Sequence, residues 1–125
     1  MSITSTTKRI SEIIRDVQEG RLIPRPPFQR RKVWSNKDKS FFIDTILREY
    51  PFPEIYWADG KVDTTTGAST TMIVDGQQRV STLVEYFTGD EDFRLSPEIT
   101  PYAELSEEQK KKFLNYVVVV RHLGD

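Results

Sequence analysis

The residues best suited to chemistry lie where a predicted strand ends and a predicted helix begins. Residues 73–79 read Ile-Val-Asp-Gly-Gln-Gln-Arg. Gly76 permits a tight turn there. A helix that starts directly after the turn points its free N–H groups and the positive end of its dipole at one spot. Because such a corner binds phosphate, we predict an anion site at this position.

The side chains that follow Gly76 would complete this site. Arg79 lies in the first predicted turn of the helix and can give a charge-assisted, bidentate hydrogen bond to an anion. Gln77 and Gln78 add amide donors, and the hydroxyl groups of Ser81 and Thr82 lie nearby. We therefore predict that residues 76–79, with Ser81 and Thr82, bind the phosphates of a ligand.

Asp75 leaves two interpretations of the corner open. In the first, its carboxylate holds Mg²⁺ or orients a water beside the bound phosphate, with Gln78 and Arg79 as catalytic partners. In the second, Asp75 and Gly76 form only a turn and a helix cap, and Arg79 is solvated. The sequence contains neither GxxxxGK[ST] nor GxGxxG, so the corner is not a P-loop or a dinucleotide-binding fingerprint.

A second candidate is the basic, proline-rich segment that precedes the second predicted helix. Its prolines stiffen the backbone, so Gln29 and Arg30 would be presented at low entropic cost. Phe28 and Trp34 would either stack on a base or sugar or pack in the core, and for Trp34 we favour the core. We predict that Arg30 and Arg79 border one cleft, with Phe28 or Trp34 in its wall.

Composition limits the classes of function. The chain has 125 residues, enough for one domain over 1–125, and we expect that domain to continue past the last residue. Cys is absent, which excludes disulfides, thiol nucleophiles and cysteine zinc sites and fits a reducing cytoplasm. With one His, we predict no protein metal site. No signal peptide or membrane-length apolar run is present, so we predict a cytoplasmic protein without a membrane partner.

Charge is distributed unevenly along the chain, although the net charge is only −1. Residues 1–35 hold eight basic and three acidic residues, and the remainder is acidic. A basic first third indicates an anionic partner there, or else a solvated basic face.

Periodicity and capping signals place these residues on a fold of mixed type. Helical spacing predicts three helices, one around Ile10–Val17 capped at residues 5–7, one from Ser35 and one over 77–88, and a capping box at Ser106 predicts a fourth to residue 115. Strands are predicted at 21–24, 54–58, 71–74 and 116–121, the last buried on both faces, with a loop over 59–71. We therefore expect an α/β (α+β) fold, a small mixed sheet packed with helices.

The two candidate segments, at 23–34 and 74–83, together resemble the N-terminal domain of the GmrSD/SspE-type family of modification-dependent restriction and phage-defence proteins. Residues 42–47 and 51–55 between them also fit the pattern. The resemblance implies a ParB/sulfiredoxin-like fold with a nucleotide at a helix N-terminus. It implies that residues 75–79 form the nucleotide motif, with Gln29 and Arg30 as companions on the facing loop.

The same resemblance implies a function: nucleotide binding with NTP hydrolysis, with Mg²⁺ as the expected metal cofactor, in a protein that senses or restricts foreign DNA. In this family nuclease activity belongs to a separate, C-terminal HNH-type domain, and with one His and no Cys we expect no such domain within these 125 residues. The alternative is a non-catalytic module that binds or senses modified DNA through Arg25, Arg30, Arg31 and Lys32. The sequence does not decide which NTP is bound.

Overall fold

The computed structural model describes residues 3–24, 34–52 and 54–124. Within them the chain forms five strands, four α-helices and a short 3₁₀ helix at Tyr102–Glu104. The strands are β1 (Ile3–Arg9), β2 (Leu22–Ile23), β3 (Ile55–Val62), β4 (Ser69–Asp75) and β5 (Val117–Leu123). The helices are α1 (Ile10–Gln18), α2 (Asn36–Leu47), α3 (Gln77–Thr88) and α4 (Glu107–Asn115). None of these helices is long and apolar enough to cross a membrane.

The strands form one mixed sheet in the order β1-β5-β3-β4-β2. The β1/β5 and β3/β4 pairs are antiparallel, and the β5/β3 and β4/β2 pairs are parallel. This arrangement confirms the predicted α+β fold. The short parallel pairing of β2 with β4 places the end of residues 21–24 beside the strand that leads into the corner at Gly76.

Local signals located the helices correctly. Ser35 caps α2, with its side chain accepting from the N–H of Asp38, and Ser106 caps α4 in the same way through Gln109. The predicted limits of α3 are confirmed at both ends, because the helix runs from Gln77 to Thr88. Gly89 at its C-cap adopts the left-handed conformation with φ +72°.

The first helix does not begin as predicted. Residues 5–7, expected to cap it, lie inside β1, which pairs with β5 along its whole length. The N-cap is Arg9, whose N–H donates to Oε1 of Glu12 at 2.9 Å. The prediction was wrong because Ser and Thr are common both at helix caps and in strands, and pairing with β5 selects the strand here.

β5 is buried on one face, so the prediction of burial on both faces was wrong. Val118 and Val120 are buried, whereas Val117 and Val119 are 55% and 39% exposed. The helices pack on the face that carries Val118 and Val120, and their apolar side chains form the core together with that face. This core includes residues from every helix and from the strands, among them Ile10, Ile43, Ile55, Trp57, Ile73, Leu83 and Phe113.

The predicted loop over 59–71 is shorter in the structure. β3 runs on to Val62 and β4 begins at Ser69, which leaves six residues at the hairpin tip. The carboxylate of Asp63 accepts from the N–H groups of Thr65 and Thr66 and folds the tip. These contacts lower the pKa of Asp63. Thr and Gly residues did predict a turn, but they did not show how far the strands extend.

Candidate functional site

The corner between β4 and α3 has the geometry that the sequence predicts. Gly76 is the N-cap of α3 and adopts φ +105°, a conformation that side chains disfavour, which confirms that a glycine is required there. A Cβ at this residue would lie 3.2 Å from Cγ1 of Ile55 and 3.6 Å from Nη2 of Arg79. The contact with Ile55 would be tighter than an ordinary one, whereas the contact with Arg79 would be a normal van der Waals distance, so the missing side chain leaves room chiefly for Ile55.

The first turn of α3 lacks a carboxylate cap. The first helical hydrogen bond runs from the N–H of Val80 to the carbonyl of Gly76, so the N–H groups of Gln78 and Arg79 have no acceptor within the helix. The Asp75 side chain is 70% exposed and accepts no hydrogen bond from the described residues. Asp75 therefore does not cap the helix with its carboxylate, while Gly76 is the N-cap, and a catalytic role of Asp75 stays a prediction.

The positive charge of Arg79 is poorly balanced by the groups around it. Its side chain is only 14% exposed, and its contact with Oδ2 of Asp75 is long, at 4.0 Å. No hydrogen bond joins its guanidinium to any described residue. Burial lowers the pKa of Arg79, which shows that its charge is poorly solvated. A guanidinium in this position is stabilised by an anion bound beside it.

The two polar atoms of the Gln78 amide differ in their hydrogen bonding. Its Oε1 accepts from the backbone N–H of Trp34 at 3.0 Å, which fixes the orientation of the amide. The residue is 9% exposed, yet its Nε2 is buried without a hydrogen-bond partner among the described residues. A buried amide nitrogen normally finds a partner, so Gln78 has a donor available at this corner.

The other predicted ligands of the corner lie deeper. Gln77 is buried and its Nε2 donates to the carbonyl of Ile73 at 3.2 Å, which ties α3 to β4. Thr82 is fully buried and its hydroxyl donates to the carbonyl of Gln78 at 2.6 Å. Ser81 is also buried. The structure thus places these three side chains behind the first turn, where they support it.

The predictions for the basic segment fall mostly outside the described residues. Phe28, Gln29 and Arg30 all lie outside those residues, so the shared cleft of Arg30 and Arg79 stays a prediction. One part of it is confirmed, since Trp34 and Arg79 line the same cavity. The Trp34 indole is half-buried and packs edge-on against Phe42 at 5.6 Å between ring centroids, so it belongs both to the core margin and to the cavity wall.

This cavity, of about 720 Å³, also contains residues that the sequence reasoning did not select. Phe41 and Phe52 are the aromatic ones. The signal that could have found Phe41 is the Phe-Phe pair in α2. Adjacent residues on a helix point in different directions, so Phe42 enters the core and Phe41 stays 73% exposed.

An ion pair holds the two helices of the cavity together. Nζ of Lys39 in α2 lies 2.8 Å from Oε1 of Glu85 in α3, and both side chains are largely buried. The Lys39 ammonium also lies 5.6 Å from the centre of the Phe93 ring. Because these contacts fix α2 against α3, the aromatic wall has a defined position relative to the cationic corner.

The described residues contain no group of three or more His, Asp or Glu side chains suited to a metal ion. A divalent cation at this corner would therefore have Asp75 as its carboxylate ligand and would need further oxygen atoms from a ligand. This donor set fits Mg²⁺, which is commonly bound through one or two carboxylates together with substrate phosphates.

The comparisons with known proteins bear on the whole domain. The family model described as the GmrSD restriction endonuclease, N-terminal domain, matches residues 10–120. That range runs from the start of α1 into β5 and includes the corner and the cavity. Neither a curated protein nor a solved structure matches the chain.

Proposed function

Since this chain belongs to the family of GmrSD restriction endonuclease N-terminal domains, a module of restriction and defence proteins, we propose that it binds and hydrolyses a nucleoside triphosphate. The phosphates bind at the first turn of α3. The observation that carries this proposal is the nearly buried guanidinium of Arg79, which has a single long contact with a described carboxylate. An anion in the corner would stabilise this charge.

Three groups of the corner act on one phosphate chain in this proposal. The N–H groups of the first turn of α3 donate to phosphate oxygens, and the helix dipole favours the negative charge. The free Nε2 of Gln78 donates to another oxygen. Arg79 forms charge-assisted hydrogen bonds, which are about twice as strong as neutral ones. All three belong to a packed helix, so they are in place before the ligand arrives.

The same groups serve hydrolysis. Phosphoryl transfer depends mainly on positioning and on stabilising the charge of the transferred group. Arg79 and Gln78 stabilise that charge, and Asp75, exposed at the mouth, orients the attacking water or binds Mg²⁺. When bound, Mg²⁺ would neutralise part of the charge on the triphosphate.

In a restriction protein this reaction would serve a nuclease. We propose that cleavage of DNA belongs to a separate HNH-type domain or partner, and that nucleotide turnover here controls it. The DNA-binding alternative depends on the basic residues 25–32, which lie outside the described part of the chain. It predicts a ligand whose affinity falls steeply with salt.

A panel of thermal shifts tests this function. The chain would be heated with ATP, GTP, CTP or UTP, each with and without Mg²⁺, alongside the Arg79→Ala and Arg48→Ala variants. Arg48 is an exposed arginine in an i,i+4 pair with Asp44, so it controls for the loss of a positive charge. A ligand at 100 times its Kd adds about 2.7 kcal/mol to the free energy of unfolding.

We expect at least one NTP to stabilise the wild type and Arg48→Ala but not Arg79→Ala, and inorganic phosphate to be released with Mg²⁺ present. Stabilisation without phosphate release would support a binding module alone. If no NTP stabilises the protein while a DNA duplex does, in a strongly salt-dependent way, the nucleotide proposal is wrong and the DNA-binding alternative replaces it.

A further inference from the structure

The cavity beside Arg79 is the most distinctive feature that phosphate binding leaves unexplained. Its lining is aromatic on one side and cationic on the other. Trp34, Phe41 and Phe52 contribute rings, and Arg79 contributes its guanidinium. The volume of about 720 Å³ lies within the usual range of small-molecule sites, about 300–1,000 Å³.

Most rings of this wall support one another. Phe42 packs edge-on against both Trp34 and Phe52, with ring centroids 5.6 and 5.1 Å apart. Phe52 in turn stacks on Tyr116 at 5.5 Å and 11° between planes. These contacts give a continuous row of rings from the cavity towards the sheet, so the back wall is rigid and apolar.

Phe41 differs from this row. It is 73% exposed, and its ring makes no aromatic contact with any described residue. Exposing a phenyl ring on a helix brings no benefit to folding, whereas a flat ligand can cover it. The backbone that carries Phe41 is held in place, because α2 is capped at Ser35 and anchored to α3 through Lys39.

We propose that Phe41 stacks on the base of the bound nucleotide, so that the base occupies the aromatic cavity while the phosphates lie at the first turn of α3. This inference rests on the proposed nucleotide function. It commits to a nucleotide because the cavity and the corner share Arg79, and a nucleotide carries a flat apolar ring and an anionic chain in one molecule.

Hydrogen-bond donors are few on this wall. The hydroxyl of Thr45, which lines the cavity, donates to the carbonyl of Phe41 at 2.9 Å within α2. Lys37 and Asp38 are exposed at the rim. Stacking accepts any base, since each has a π-face. The base is therefore held chiefly by ring contact, and the affinity of the site depends on Phe41.

Calorimetric titrations distinguish the contribution of the base to the binding affinity from that of the phosphates. ATP, GTP, CTP, UTP and inorganic tripolyphosphate would be titrated into the wild type, Phe41→Ala, Phe41→Tyr and Tyr50→Ala. Tyr50 is a matched control because its ring is also exposed, at 57%, and lies outside the cavity lining. Melting temperatures of the variants without ligand would check that each is folded.

We expect Phe41→Ala to weaken NTP binding by about 5- to 150-fold, the range for loss of one stacked base, and to leave tripolyphosphate binding unchanged. Phe41→Tyr should bind NTPs like the wild type, because it retains a ring of the same shape, and Tyr50→Ala should do the same.

Four results would overturn this inference. If Phe41→Ala binds NTPs like the wild type, or loses NTP and tripolyphosphate affinity equally, the base does not stack on Phe41 and the proposed nucleotide function still stands. If the wild type binds tripolyphosphate as tightly as every NTP, the base makes no contact with the cavity. If the wild type binds neither class of ligand, the nucleotide function fails as well.

Discussion

The backbone N–H of Trp34 donates to Oε1 of Gln78 at 3.0 Å, across 44 positions of sequence. This bond joins the segment before α2 to the first turn of α3. It holds Trp34 in the cavity wall and orients the amide of Gln78 so that Nε2 has no hydrogen-bond partner among the described residues. One polar atom of this side chain thus supports the fold, and the other is the donor that we propose for the ligand.

Gln78→Met tests that division. The variant leaves the Trp34 N–H without its acceptor, which costs about 1–3 kcal/mol, but it also removes a buried, unpaired amide nitrogen, which has a cost of the same kind. We expect these two effects to offset each other, so that urea denaturation gives a free energy of unfolding within about 1.5 kcal/mol of the wild type.

Nucleotide affinity should respond differently in Gln78→Met. The variant loses a donor to a charged phosphate, so we expect Kd to rise by about 10-fold or more, measured by calorimetry at constant salt. An affinity equal to that of the wild type would show that Nε2 does not contact the ligand.

Arg79→Met removes the buried cation and keeps much of the side-chain volume. Without ligand, this variant should be at least as stable as the wild type, because the guanidinium has only the 4.0 Å contact with Asp75 to offset its burial. With nucleotide, we expect binding to weaken by about 1.5–3 kcal/mol, the value of a hydrogen bond to a charged group.

Arg79→Lys is the informative companion. Lysine keeps the charge but lacks the planar fork, so its affinity should lie between those of the wild type and Arg79→Met. Large destabilisation of the ligand-free Arg79→Met protein would instead identify Arg79 as a structural residue.

Gly76→Ala and Gly89→Ala form a matched pair at the two ends of α3. Both glycines have positive φ, so each alanine should lower the free energy of unfolding by about 1–2 kcal/mol. Only at Gly76 would the added Cβ meet a tight contact, 3.2 Å from Cγ1 of Ile55, whereas nothing lies within 4 Å at Gly89.

Nucleotide binding should therefore fall in Gly76→Ala and persist in Gly89→Ala, as measured by thermal shift with increasing NTP. Equal binding by both variants would mean that the conformation of the turn at Gly76 is not needed for the ligand.

Acid should weaken the sheet through Glu54. Its carboxylate accepts two hydrogen bonds from the guanidinium of Arg121 in β5, at 2.9 and 3.0 Å. These bonds lower the pKa of Glu54, so the folded state favours the charged form. The resulting stabilisation is complete above the ordinary glutamate value of about 4.3 and is lost as the pH falls through the lowered value.

We expect the free energy of unfolding to decline below about pH 4.3, and Glu54→Gln to show a shallower decline than the wild type. Glu91→Gln, an exposed residue between α3 and the 3₁₀ helix, serves as control and should follow the wild-type curve. Coincident curves for Glu54→Gln and the wild type would assign the acid sensitivity to other carboxylates.

Much of the candidate site could be predicted because its signals are local. A glycine at a strand–helix junction, the helical spacing after it and Gly89 at the end fixed the limits of α3 and the conformation of Gly76. Capping boxes at Ser35 and Ser106 likewise placed α2 and α4. Such signals involve residues within one or two turns, so they act in the same way in any surrounding fold.

The sequence alone determined where the helices lie, that the fold is mixed, and that residues 75–79 form a corner suited to an anion. Tertiary structure alone decided that residues 3–9 pair with β5, that one face of β5 is exposed, and that Gln78 bonds to Trp34. It also decided that Phe41 and Arg79 line one cavity. The physical reason is range: caps and turns are set by neighbours in sequence, whereas strand pairing, burial and cavity walls depend on which distant segments pack together.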